Sequence, residues 1–198
     1  AAQLPVTVKH RTGIDAQQDY ELFRKFAAVQ IEAGVDALIV HARNAWLRGL
    51  SPRQNRDIPP LKYDWVYRLK QDFPQTEIII NGGIKTLDAA LVHLAQVDGV
   101  MLGREPYQNP FMLQNIDHKI FDQQAKQAPT RLSILRSIYP YIESQLQQGI
   151  PLSQMVRHII GLYRGEPRAK QWRRYLSEHG NKKSGNMETL YEAEKLVE

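Results

Sequence analysis

Two stretches constrain the chain more than any others: Ile78-Ile79-Ile80-Asn81-Gly82-Gly83-Ile84 and, about twenty residues on, Asp98-Gly99-Val100-Met101-Leu102-Gly103-Arg104. Each is a short apolar run, the signature of a buried parallel strand. Each ends in groups suited to an anion: glycine-freed backbone amides in the first, amides and a guanidinium in the second. Between them, Thr86 to Leu94 has helical spacing with Thr86 as N-cap, so the whole is a βαβ unit. In an α/β barrel, two successive strands that finish in glycine match strands seven and eight, whose loops hold phosphate. A tight βα turn would also use Asn81, Gly82 and Gly83, because glycine relieves positive φ. The pairing of both endings in consecutive strands favours phosphate.

The rest of the first half follows the same alternation. Val6 to Arg11 reads as a strand by β-branching and alternation. Gln18 to Ala33 is an amphipathic helix stopped by Gly34, and Ala37 to Arg43 is a second strand. Asn44 to Pro60 is a loop too long for a mere connector, of the kind that contacts substrate above a barrel strand. Leu61 to Phe73 is helical up to Pro74, and a short helix through Phe111 and Phe121 follows Pro110. This order gives four parallel strands with helices, the second half of a (β/α)8 TIM barrel, over residues 1–122. No starting methionine or earlier element precedes the first strand. The polar stretch 123–130 is the expected linker, and 131–198 the expected small all-α helical bundle. There the expectations are a helix from Leu132 to Leu146 kinked at Pro140, a second over Ser153 to Tyr163, a third opened by Pro167, and a fourth from Met187.

The chain has 198 residues, 42% of them hydrophobic, and no cysteine, which excludes disulfides, thiolate metal sites and a thiol acid or nucleophile of its own. No run approaches the roughly 20 apolar residues of a membrane span, and no signal peptide is visible, so a cytoplasmic location is expected. The net charge of +5 is concentrated in one place: between Arg157 and Lys183 there are eight lysines and arginines against Glu166 and Glu178. Such a block suggests a polyanion partner, although solvated helix faces are also often basic. Lys170, Arg173 and Arg174 fall on one helix side, with Trp172 and Leu176 turned into the core. Arg53 and Arg56 of the long loop could reach the same ligand, all serving as phosphate contacts that position a nucleic acid.

Alternation also sets direction. On the first strand Thr7, Lys9 and Arg11 share a face, and on the second Ala37, Ile39, His41 and Arg43 do, so that Lys9 and His41 point at the barrel mouth. Taken singly, each has a solvated or structural reading; two that converge beside a glycine-built phosphate site favour function. Without a P-loop or G-x-G-x-x-G, no Rossmann dinucleotide or ATP site is expected, and the phosphate of flavin mononucleotide fits a barrel best.

At Val8-Lys9-His10-Arg11, Val40-His41-Ala42-Arg43, Asn81-Gly82-Gly83-Ile84 and Gly99 to Arg104 the sequence resembles the tRNA-dihydrouridine synthases. Leu50 to Leu61 and Ala169 to Leu176 resemble the A branch in particular. The resemblance implies an FMN-dependent barrel and a helical tRNA-binding domain, with NADPH as reductant and hydride passing to C6 of a D-loop uridine in the 20/20a region. It implies Lys9 and His41 at the isoalloxazine ring, and Asn81, Gly82, Gly83, Gly103 and Arg104 at the phosphate. Arg53, Arg56, Lys170 and Arg173 become the tRNA contacts, holding the RNA while the base is extruded. Family members carry a further half-barrel ahead of this region, with the cysteine that protonates C5. The chain is therefore expected to be a C-terminal portion, inactive alone, whose open edges invite dimerisation or pairing with the other half. Two other readings stand beside this one: a non-catalytic RNA-binding module, and an FMN barrel oxidoreductase acting on a small molecule.

Overall fold

The computed structural model describes residues 4–121, 128–181 and 185–198. Its first part runs β1 (Thr7–Arg11), α1 (Tyr20–Glu32), β2 (Ala37–His41), α2 (Gln54–Asp57), α3 (Tyr63–Asp72), β3 (Glu77–Asn81), α4 (Leu87–Leu94) and β4 (Gly99–Met101). The four strands form one parallel sheet in the order β1-β2-β3-β4, each beside its neighbour in sequence. This is the architecture of half a TIM barrel.

Burial follows the alternation. Leu38, Val40, Ile78 and Ile80 are fully buried beneath Phe23 and Ala27 of α1, Val66 and Leu69 of α3, and Ala90 of α4. Each such side chain contributes about 1.5–3 kcal/mol of hydrophobic stabilisation. The alternate residues, Lys9, Ile39, His41, Ile79 and Asn81, occupy the other face, where Ile39 and Ile79 are only half-buried. Helix starts are capped as their sequences require: Asp19 accepts from the Glu21 amide at 2.8 Å and Thr86 from the Ala89 amide at 3.1 Å. A further tie holds the lower ends of β3 and β4. Lys70 Nζ reaches Asp98 Oδ2 at 2.8 Å and donates to the carbonyls of Pro74 and Thr76, while Asp98 accepts from the Ile78 amide at 2.8 Å.

The second part contains α5 (Arg104–Gln108), a 3-10 helix (Pro110–Asn115), α6 (Ile116–Phe121), α7 (Arg131–Ser137), α8 (Tyr139–Gln147), α9 (Leu152–Val156), α10 (Ala169–His179) and α11 (Met187–Lys195). Its core is built on Leu135, Ile142, Leu152, Trp172, Leu176 and Leu190. Glu194 of α11, itself buried, ties that helix to Arg136 and Tyr139; Arg136 Nε donates to its carboxylate at 2.9 Å, and the Tyr139 hydroxyl donates to it as well.

By compactness the chain divides into Ala1–Gly103 and Arg104–Glu198, ahead of the linker expected at 123–130. The reason is packing: Phe111 joins the helical core under the Arg131 guanidinium, 3.7 Å from its ring, and Arg164 pairs with Glu105 at 2.9 Å. Of the expected linker, residues 123–127 lie outside the described ones, while Thr130 caps α7 by accepting from the Ser133 amide at 3.0 Å. Lys182 and Lys183 also lie outside them.

Three helical details differ from expectation. Pro140 does not kink a long helix; the helix breaks at Ile138, and Pro140 sits in the first turn of α8, where its missing N–H is harmless. The helix expected over Ser153 to Tyr163 is only α9, followed by tight i→i+3 turns through Arg164. There Gly161 lies so close to the Gln108 carbonyl that an added Cβ would collide with its oxygen. The helix expected to open at Pro167 begins at Ala169 instead, because Arg168 before it is left-handed at φ 62°.

Candidate functional site

The site is built from the carboxyl ends of the strands. Register places Lys9 beside Ile39, Ile39 beside Ile79 and Ile79 beside Gly99. Lys9 Nζ crosses the intervening strand to donate to Asn81 Oδ1 at 3.0 Å, and Asn81 Nδ2 donates to the Met101 carbonyl at 2.7 Å. Both ends of the Asn81 amide are thus engaged within the protein, and its side chain fixes the lysine. Burial lowers the Lys9 pKa, and the nearby Arg11 charge lowers it further.

Beyond Asn81 the backbone turns through two left-handed glycines, Gly82 at φ 114° and Gly83 at φ 72°. A Cβ on Gly82 would lie 3.3 Å from the His41 imidazole, and one on Gly83 only 2.8 Å from Leu61 Cδ1. The turn is therefore closed to side chains. The Tyr63 hydroxyl donates to the Gly82 carbonyl at 2.6 Å, and among the described residues neither the Gly82 nor the Gly83 amide has an acceptor. At the end of β4, a Cβ on Gly103 would meet no atom within 4 Å. Such a turn, with two amides that meet no acceptor among the described residues, has the donors that a phosphate-sized anion needs.

The long loop after β2 is folded. Arg11 Nη1 donates to the carbonyls of Asn44 and Asn55, each at 2.9 Å, and Arg43 donates to the Pro59 carbonyl. Asn44 in turn accepts from Thr12 Oγ1 at 2.8 Å and donates to the Gln17 carbonyl at 2.7 Å. The loop carries α2, with Arg53 and Arg56 exposed upon it. Burial lowers the Arg11 pKa, and the charges of Arg43 and Arg56 add to the shift. Lys9, Arg11, Arg43 and Arg56 thus form a concentration of positive charge over the strand ends.

The structure brings Lys9, Asn81, Gly82 and His41 together at this rim, with Gly103 two residues past β4. Arg104 opens α5 of the helical part. There Lys170, Arg173 and Arg174 are all exposed on α10 while Trp172 and Leu176 are buried, and Arg174 pairs with Glu178 at 2.8 Å. Reading the sequence missed Tyr63 and the loop-holding roles of Arg11 and Arg43. For Arg11 a signal existed, since alternation puts it on the Lys9 face. No group of three His, Cys, Asp or Glu side chains able to hold a metal ion occurs among the described residues, and no helix among them is long and apolar enough to cross a membrane.

Fold and site together define an α/β half-barrel with a glycine turn and a cationic rim at its strand ends, joined in sequence to a basic helical unit. The family described as Dihydrouridine synthase (Dus) matches residues 1–198, and the chain belongs to it. It is 49% identical over 195 residues to the tRNA-dihydrouridine(20/20a) synthase of Escherichia coli (strain K12), covering 98% of this chain and 56% of that protein. Its identity is 47% over 191 residues to the synthase of the same name from Vibrio parahaemolyticus, covering 96% of this chain and 58% of the relative. For the one from Xanthomonas axonopodis pv. citri it is 46% over 193 residues, covering 98% and 57%. The chain thus spans little more than half the length of these relatives.

Proposed function

We propose that the chain is the flavin-cradling and tRNA-holding portion of an FMN-dependent tRNA-dihydrouridine synthase acting on D-loop uridines in the 20/20a region. The observation that carries this reading is the Asn81-Gly82-Gly83 turn, where the Gly82 and Gly83 amides meet no acceptor among the described residues and a Cβ has no room, with Lys9 held beside it by Asn81. Gly82, Gly83, Gly103 and Arg104 hold the flavin phosphate, with Asn81 placing the turn and the lysine. Lys9 and His41 face the ring, where a fixed cation stabilises negative charge. When bound, the flavin supplies the hydride that reaches C6 of the uracil, with NADPH as its reductant. This chain has no thiol, so the proton for C5 comes from outside it. Arg53, Arg56, Lys170 and Arg173, all exposed, contact tRNA phosphates while the target base leaves its stack. The tRNA named for the relatives fits work in the cytoplasm.

In this reading the chain alone is inactive. The edges of its sheet, β1 and β4, pair with the remaining half of a barrel or with a second copy. The test is tRNA binding by the purified chain across a salt series, with flavin absorbance read on the same sample. Bound flavin and salt-sensitive binding are expected. Colourless protein that binds tRNA would reduce the chain to an RNA-binding module, and normal turnover by the chain alone would overturn the division of labour.

A further inference from the structure

Three side chains behind the glycine turn belong to none of the roles assigned above. Tyr63, the first residue of α3, donates its hydroxyl to the Gly82 carbonyl at 2.6 Å. The edge of its ring meets His93 of α4, with centroids 4.4 Å apart. His93 is buried, and its Nδ1 shares a hydrogen bond of 2.6 Å with the Tyr67 hydroxyl, one turn along α3. The set therefore runs from Tyr67 through His93 and Tyr63 to the backbone of the turn.

The geometry of the peptide unit says what this does. In a planar trans peptide the carbonyl of one residue and the N–H of the next point in opposite directions. With the Gly82 carbonyl held by Tyr63, the Gly83 N–H is turned to the far side, where no acceptor among the described residues takes it. Gly82 and Gly83, free of Cβ restraint, could otherwise take several peptide orientations. We infer that Tyr63 is a positioning residue for the anion site: its hydrogen bond sets the Gly82–Gly83 peptide so that the Gly83 amide faces the ligand, and the Tyr67–His93 pair fixes the Tyr63 ring. Burial raises the tyrosine pKa values and lowers that of His93, so the hydroxyls stay protonated and the imidazole neutral near pH 7. The inference rests on the flavin reading for the identity of the anion, but the orientation of the turn is measurable without it.

The experiment uses the full chain, isotope-labelled, as parent and as Tyr63→Phe, which removes one oxygen and keeps the ring. Amide spectra are recorded with and without FMN, FMN affinity is read by flavin fluorescence, and urea unfolding reports stability. The expected result is that FMN shifts the Gly83 amide in the parent. In Tyr63→Phe the Gly82 and Gly83 signals move before FMN is added, and affinity falls about fivefold, the size of one neutral hydrogen bond. Tyr67→Phe, which leaves the Tyr63 hydroxyl in place, moves the same signals less, and it decides the question should Tyr63→Phe not fold. Unchanged Gly82 and Gly83 signals, or unchanged affinity in a parent that binds FMN, overturn the role of Tyr63 and leave the flavin reading intact. If FMN does not shift Gly83 in the parent, the flavin reading fails and the role in binding with it, while the ligand-free spectra still report whether Tyr63 sets the turn.

Discussion

Gly83 and Gly103 differ in what an added methyl group would meet, and so separate folding from binding. At Gly83 the backbone is left-handed and a Cβ would press on Leu61 and on the Tyr63 hydroxyl. Gly83→Ala is therefore expected to lower stability by about 1–3 kcal/mol in urea denaturation, and to lose FMN as well. At Gly103 a methyl meets nothing within 4 Å. Gly103→Ala is expected to unfold at the urea concentration of the parent, yet to bind FMN at least tenfold more weakly if a phosphate occupies that space. Equal FMN affinity in Gly103→Ala would remove the β4 end from the site. The Asn81-Gly82-Gly83 turn was legible in the sequence because its cause is local: a buried strand running into two glycines. Tyr63 was not, because its partner is the carbonyl of Gly82, nineteen positions away, and nothing in the residue type distinguishes it from Tyr67 on the same helix. The position of Asn81 at the strand end was legible, and its bonds within the sheet were not. Its side chain serves Lys9 and Met101, a pairing that only the register of three strands creates.

At the scale of elements, α10 divides into a buried edge and a charged one. Trp172 and Leu176 hold it to the helical core, while Lys170 and Arg173 stand in solvent and Arg174 is engaged with Glu178. Replacing both Lys170 and Arg173 by Ala is expected to weaken tRNA binding and to flatten its dependence on log salt by about 0.7–0.9 for each RNA phosphate left without its cation. Replacing Arg174 should do less, since that side chain is already partnered at an exposed site of small energetic value. Equal effects at all three positions would mean that the helix contributes only diffuse charge. The spacing of this helix was readable, because lysines and arginines three and four apart must share a side. Its start was not: Arg168 adopts a left-handed backbone that helix propensity does not favour. Likewise, the turns after α9 bring Gly161 against the Gln108 carbonyl, a contact between segments that periodicity within either one cannot reveal.

For the whole molecule, stability should depend on pH in one direction through the mildly acidic range. Burial lowers the pKa of His10 and of His93, with the Lys9 charge adding to the effect at His10 against its own bond to the Arg11 carbonyl. The unfolded chain thus takes up these protons first, so stability is complete above about pH 6.5 and falls as the pH drops below it. At Asp98, burial opposes ionisation, but Lys70 and the Ile78 amide outweigh it and hold the carboxyl below its usual range. That contribution is present above about pH 4 and is lost in stronger acid. Urea midpoints measured from pH 8 to pH 4 should decline, and His93→Gln should flatten the part between pH 7 and 5; an unchanged slope in that variant would assign the loss elsewhere. The sheet also has two edges, at β1 and β4, and α1, which follows β1 in sequence, exposes Leu22, Phe26 and Val29. Sedimentation of the purified chain is expected to show concentration-dependent association, and a monomer at all concentrations would mean that these edges are protected.

The sequential strand order has a consequence for how the chain finds its fold. Every strand pairs with the next one along, so the closure entropy of each connecting loop is what each pairing has to overcome. Ile79 meets Gly99 twenty positions on, whereas Ala37 meets Glu77 forty positions on, because the link between β2 and β3 carries the arginine-bearing loop. Doubling a loop raises its closure cost by only about 0.6 kcal/mol. The half-barrel therefore carries its long arginine-bearing loop at a small entropic cost, with Arg11 and Arg43 holding it in place.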